Sequence, residues 1–106
     1  LSRVLTNLLA NAVQYSGTPV ELRVTRDSSG VLAEVLDRGP GIPEADQTRV
    51  FQPFFRIERS RNQRTGGSGL GLAIVKQLCD AQGWRISVHS REGGGAAFRL
   101  LLPDTN

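Results

Sequence analysis

Apolar side chains open the chain at helical spacing: Leu1, Val4, Leu5, Leu8, Leu9 and Ala12. That period predicts an amphipathic helix over residues 1 to about 15. Ser16-Gly17-Thr18-Pro19 ends it, with glycine just past the last turn and proline beyond. The period then drops to two. Val20, Leu22 and Val24 alternate with Glu21, Arg23 and Thr25, the pattern of a half-buried strand. After the Asp27-Ser28-Ser29-Gly30 turn, Val31 to Leu36 returns as its antiparallel partner. Helix-breakers make Asp37-Arg38-Gly39-Pro40-Gly41-Ile42-Pro43 a loop, and a short helix is expected from Glu44 to about Phe51. Residues 56–69 are polar, arginine-rich and glycine-rich, so a mobile surface loop is expected there. Leu70 to about Gln82 has helical period, with Gly83 as its stop. Trp84, Ile86 and Val88 then alternate toward Gly93-Gly94-Gly95, and Ala97 to Leu102 closes a second hairpin. Hairpins separated by helices predict an α+β layer, with helices on one face of a largely antiparallel sheet.

The 106 residues suffice for a single domain, 1–106, with one core. A 39% hydrophobic and 22% charged composition is ordinary for a globular chain. No apolar run approaches the roughly 20 residues of a membrane span, and no secretion signal opens the sequence. Any membrane anchor of a parent protein is therefore expected outside this stretch. Of thirteen basic residues all but Lys76 are arginine, and the net charge is +3. Guanidinium groups fork onto phosphate oxyanions, although the same residues serve equally as a solvated basic surface. Aromatics do not interleave the charges, which argues against a nucleic-acid platform. Cys79, the only cysteine, falls in an apolar helical stretch and reads as a buried thiol in a reducing cytoplasm. His89, the only histidine, lies in a strand pattern with no companions for metal binding or catalysis.

Three stretches carry candidate chemistry. Gly66-Gly67-Ser68-Gly69-Leu70-Gly71-Leu72 opens onto a helix, where backbone amides and the helix dipole favour a phosphate; a flexible loop is the bland alternative. No strand precedes these glycines, so a dinucleotide fingerprint is excluded. Lys76 is followed by Gln77, so a P-loop is excluded as well. Asn7 and Asn11 stand four apart on one helix face, opposite the apolar stripe, with Gln14 and Tyr15 a turn further. They are either a solvated face or a site for hydrated Mg²⁺ and an aromatic base. Asp37 ends a strand before Gly39 and Gly41: an ordinary turn, or a carboxylate placed to accept from the exocyclic amine of adenine. Phe51-Gln52-Pro53-Phe54-Phe55 is either core or a hinge for the loop that follows.

These pieces, in this order, resemble the ATP-binding catalytic domain of sensor histidine kinases, in the GHKL superfamily shared with gyrase, the ninety-kilodalton heat-shock chaperone and mismatch-repair ATPases. Asn7-Leu8-Leu9-Ala10-Asn11-Ala12 is similar to the N box and Asp37-Arg38-Gly39-Pro40-Gly41-Ile42 to the G1 box. Phe51-Gln52-Pro53-Phe54-Phe55-Arg56 resembles the F box, and Gly67-Ser68-Gly69-Leu70-Gly71-Leu72 the G2 box. The resemblance implies a Bergerat-type two-layer α/β sandwich with a mixed sheet. It implies ATP and Mg²⁺ as cofactors, with Asn11 on the metal and Asn7 assisting. Tyr15 would stack on adenine, Asp37 would hold its amino group, and Gly39, Gly41 and Ile42 would line the base. Gly67, Ser68, Gly69, Leu70 and Gly71 would wrap the phosphates, with Arg56 near the γ-phosphate.

Three positions depart from the family pattern. Gln14 stands where the N box commonly carries a base, Phe55 where many relatives have Tyr, and Ala96 where a small hydroxyl residue is usual. Asn7 separates two activities. The superfamily's ATPases place Glu there to activate water, and an amide cannot take that proton. Asn7 thus favours transfer over hydrolysis, with an ATPase, an anti-sigma-type serine kinase and a nucleotide-independent docking domain as alternatives. The resemblance further implies an acceptor histidine on a separate dimerisation domain and a response regulator downstream, while the charge pattern noted above leaves no nucleic acid among the expected partners. The parent would be a homodimeric, inner-membrane-anchored kinase whose catalytic part is cytoplasmic and, in isolation, monomeric. In the family a strand and a helix usually precede the N box, and without them part of the sheet is expected to lie uncovered.

Overall fold

A computed structural model describes residues 1–53, 55 and 71–104, except for the side chain of Tyr15. The element order is helix α1 (Ser2–Ser16), strands β1 (Glu21–Asp27) and β2 (Gly30–Leu36), two 3₁₀ turns (Glu44–Asp46 and Arg49–Phe51), helix α2 (Gly71–Gln82), and strands β3 (Arg85–Ser90) and β4 (Ala96–Pro103). The two hairpins meet side by side, giving a four-stranded sheet in the order β1-β2-β4-β3 with every pairing antiparallel. The expected loop over 56–69 lies outside the described residues.

Both helices cover one face of this sheet. α1 packs on β2 and on α2, and α2 packs on β3 and the 49–51 turn. Register aligns one row across the sheet, Leu22 beside Val35, Val35 beside Phe98 and Phe98 beside Val88, of which Val35, Phe98 and Val88 are buried. Val4, Leu8 and Ala12 descend onto that row from α1, and Val75 and Cys79 from α2. The core thus lies over the middle strands. Phe51 meets Phe98 edge-on, with ring centroids 6.3 Å apart at 87°, the favoured geometry for two aromatic quadrupoles. Phe51 and Phe55 are partly buried against this core. The aromatic segment therefore contributes packing, while Phe54 lies outside the described residues.

Two expectations need correction. The half-buried β1 is exposed at all seven positions, with Leu22 at 44% and Val24 at 59%. Alternation put these two on the helix side, and register agrees, but α1 lies over β2 and leaves the edge strand bare. The single helix expected over 44–51 is instead two 3₁₀ turns. An eight-residue stretch is too short to repay helix nucleation, and Pro53 forces Gln52 into extended backbone (φ −80°, ψ 143°).

Cys79 is fully buried, and loss of water around it pushes the thiol above its usual range. Native protein at about pH 8 is expected to leave this thiol unmodified by a chromogenic disulfide reagent, with one thiol per chain reacting in denaturant. Rapid reaction of the folded protein would contradict this packing.

Candidate nucleotide site

Asp37 follows β2 directly and is 4% exposed. A buried carboxylate is tolerated only where hydrogen bonds replace its lost water. Its Oδ1 accepts from the amides of Gly39 (2.9 Å) and Ala96 (3.3 Å). Its own amide donates to the Ala96 carbonyl at 3.0 Å, and its carbonyl accepts from Arg91 Nη1 at 3.0 Å. Among the described residues, Oδ2 alone of the Asp37 polar atoms has no hydrogen bond. A fixed, desolvated acceptor of this kind suits an amine donor, and it opposes an acceptor such as the 6-oxo group of guanine.

The loop carrying Asp37 is tied at both ends. On the α1 side, which stops at Gly17 (φ 67°, ψ 13°), the Arg38 amide donates to Thr18 Oγ1 at 3.2 Å. The Thr18 amide in turn donates to Ser16 Oγ at 3.0 Å. Gly39 lies so near the helix end that a Cβ there would come within 2.6 Å of Ser16 Cα. On the hairpin side, Arg38 Nη1 donates to the carbonyls of Glu92 (2.7 Å) and Gly94 (2.9 Å). Gln47 Nε2 bridges the Ile42 carbonyl and Ser90 Oγ, each at 3.1 Å. Gly41 is buried against the Gly95 carbonyl, and the Ile42 side chain sits in the core rather than at a surface.

Asn7 and Asn11 are half-buried. They lie on the shoulder of the α1 apolar stripe and not opposite it, because the helix is covered by both the sheet and α2. Gln14 is exposed, and the Tyr15 side chain is outside the described residues. Gly71 opens α2 and is exposed; Arg56, Gly67, Ser68, Gly69 and Leu70 lie outside the described residues. The structure therefore joins the end of α1 to the Asp37 loop and the β3–β4 turn. A separate depression of about 280 Å³ between the 49–51 turn and the outer side of α2, lined by Phe51, Pro53, Ala73, Ile74 and Lys76, includes none of the sequence-derived nucleotide residues. His89 lies within 2.9 Å of Ser87 Oγ, and no group of three or more His, Cys, Asp or Glu suited to a metal occurs among the described residues. No helix there is long and apolar enough to cross a membrane.

Sequence reasoning singled out Asp37 but overlooked Arg91, the Ala96 amide and Thr18. Backbone donors and long arginine reaches leave no periodic trace. The Gly93-Gly94-Gly95 run was the one available hint that the distant hairpin turns close to something.

Over residues 1–106 the chain matches the model of the histidine kinase-, DNA gyrase B- and HSP90-like ATPases, and it belongs to that family. Within it, the relatives are sensor histidine kinases. The chain is 39% identical over 106 residues to sensor histidine kinase YkoH of Bacillus subtilis (strain 168), covering all of this chain and 23% of the relative. The mycobacterial sensor histidine kinase MprB superposes with a TM-score of 0.84 at 36% identity, over 95% of this chain and 70% of that one. The full-length ShkA structure in complex with AMPPNP gives 0.76 at 34% identity, over 92% of this chain and 20% of that one. The chain thus spans about a quarter of the curated relative's length.

Proposed function

We propose that this chain binds Mg-ATP and presents the γ-phosphate to a histidine on a separate dimerisation domain, the first step of a two-component phosphorelay. The observation that carries this reading is the buried Asp37, with one oxygen committed to the Gly39 and Ala96 amides and the other left for a ligand amine. Adenine offers a donor at that position. The half-buried carboxamides of Asn7 and Asn11 are hard oxygen donors on one helix face, suited to a hydrated Mg²⁺. Gly71, with the preceding Gly67, Ser68, Gly69 and Leu70, supplies backbone amides at the opening of α2 for the phosphates, and Arg56 adds a guanidinium. Bound ATP supplies the phosphoryl group; the chain's own work is orientation and charge neutralisation. Asn7 favours transfer, since it offers no base to activate water.

Mg-ATP is expected to raise the melting temperature, because a ligand that binds only the folded state stabilises it. No shift at millimolar nucleotide would refute the binding reading in favour of a docking module. With [γ-³²P]ATP and a purified histidine-bearing helical domain, label is expected on that histidine. Free phosphate alone would favour an ATPase, and label on serine a serine kinase.

A further inference from the structure

Two arginines cross between the Asp37 loop and the β3–β4 turn. Arg38 reaches from the loop to the turn, bonding the Glu92 and Gly94 carbonyls through one nitrogen. Arg91 reaches from the turn back to the loop, bonding the Asp37 carbonyl. The segment between is conformationally costly to hold, since Gly93, Gly94 and Gly95 have φ of 86°, 106° and 106°. Its far end delivers the Ala96 amide to Asp37 Oδ1. Each arginine therefore holds a different part of the same residue: Arg91 bonds the Asp37 main-chain carbonyl, and Arg38 ties down the turn that supplies one of the two backbone amides on its carboxylate.

We infer that Arg91, seconded by Arg38, is a positioning residue for base selectivity, holding Asp37 so that its remaining oxygen accepts from a 6-amino group and rejects a 6-oxo group. Both guanidinium groups bond main-chain carbonyls and so act through Asp37, and the inference rests on the adenine reading above. A small misplacement of a hydrogen-bonding group costs binding steeply. A 6-oxo base makes no bond to the carboxylate and has none to lose.

The test is calorimetric titration of the chain with Mg-ATP and with Mg-inosine triphosphate, which differs at the 6-position. Arg91→Ala is expected to weaken ATP about tenfold while leaving inosine triphosphate within about twofold. Arg91→Lys, which restores a single donor to a single carbonyl, is expected to recover most of the preference. Arg38→Ala, at an exposed side chain, is expected to move the same ratio by a smaller factor, and it serves if Arg91→Ala does not fold. Equal weakening of both nucleotides, or no change in either, would overturn the positioning role and leave the arginines as fold supports. Wild type that binds neither nucleotide would instead defeat the adenine reading itself, an outcome visible before any variant is made.

Discussion

Asp37→Asn is expected to abolish the thermal shift given by Mg-ATP. At a hundredfold excess over Kd, wild type gains about 2.7 kcal/mol, a rise on the order of 10 °C for a domain of this size. The reason is directional. Oδ1 accepts from two backbone amides, so in the amide variant the oxygen must stay at that position and the NH₂ takes the other. A donor then faces the donor of the ligand, and the buried site cannot recruit water to separate them. The side chain keeps its size, so the unliganded protein is expected to lose only about 1 kcal/mol, from two charge-assisted bonds becoming neutral ones. Differential scanning fluorimetry with and without nucleotide measures both quantities. A variant shift equal to that of wild type would remove Asp37 from the site.

Gly95→Ala is expected to damage fold and site together. Gly95 combines φ of +106° with a close approach: an added Cβ would overlap the Asp37 carbonyl and lie 2.8 Å from Arg38 Cα. Backbone strain of this kind costs about 1–3 kcal/mol before any clash, and the neighbouring atoms are main chain, which cannot swing aside. A total loss of about 2–4 kcal/mol is expected, with nucleotide binding lost as Asp37 is pushed away. Gly94→Ala is the control. Gly94 has the same φ, but nothing lies within 4 Å of its added Cβ, so only about 1–2 kcal/mol is expected, with binding retained. Urea unfolding of the two variants side by side separates strain from collision; equal losses would contradict the tight apposition of turn and loop.

The elements were legible in the chain because their periods are strong. α1 begins and ends within a residue of its expected bounds, stopped by the glycine that the pattern named, and each strand appears where alternation placed it. Asp37 was legible for a related reason, as a carboxylate at the end of an apolar strand and ahead of Gly and Pro. Burial across the sheet was not legible. Leu22 and Val24 alternate as well as Val35 does, yet only the position of α1 decides which pair is covered. The stop after Phe51 depended on Pro53, a residue beyond the stretch itself. The tethers of Asp37 were hidden because they are amides and carbonyls, identical at every residue, selected by a tertiary approach that no local window contains. Arg38 and Arg91 resembled the other arginines until the hairpin brought them within reach of carbonyls.

The Ala96 amide that completes the Asp37 carboxylate lies 59 positions further along the chain. Closing so long a loop is entropically slow, and non-local strand pairing of this kind is the late part of folding. On the adenine reading proposed above, Asp37 would be held for a base only once the second hairpin is in place, because one of the two amides that fix its Oδ1 comes from the start of β4. The proposed selectivity would then depend on the β2–β4 pairing as much as on the carboxylate itself.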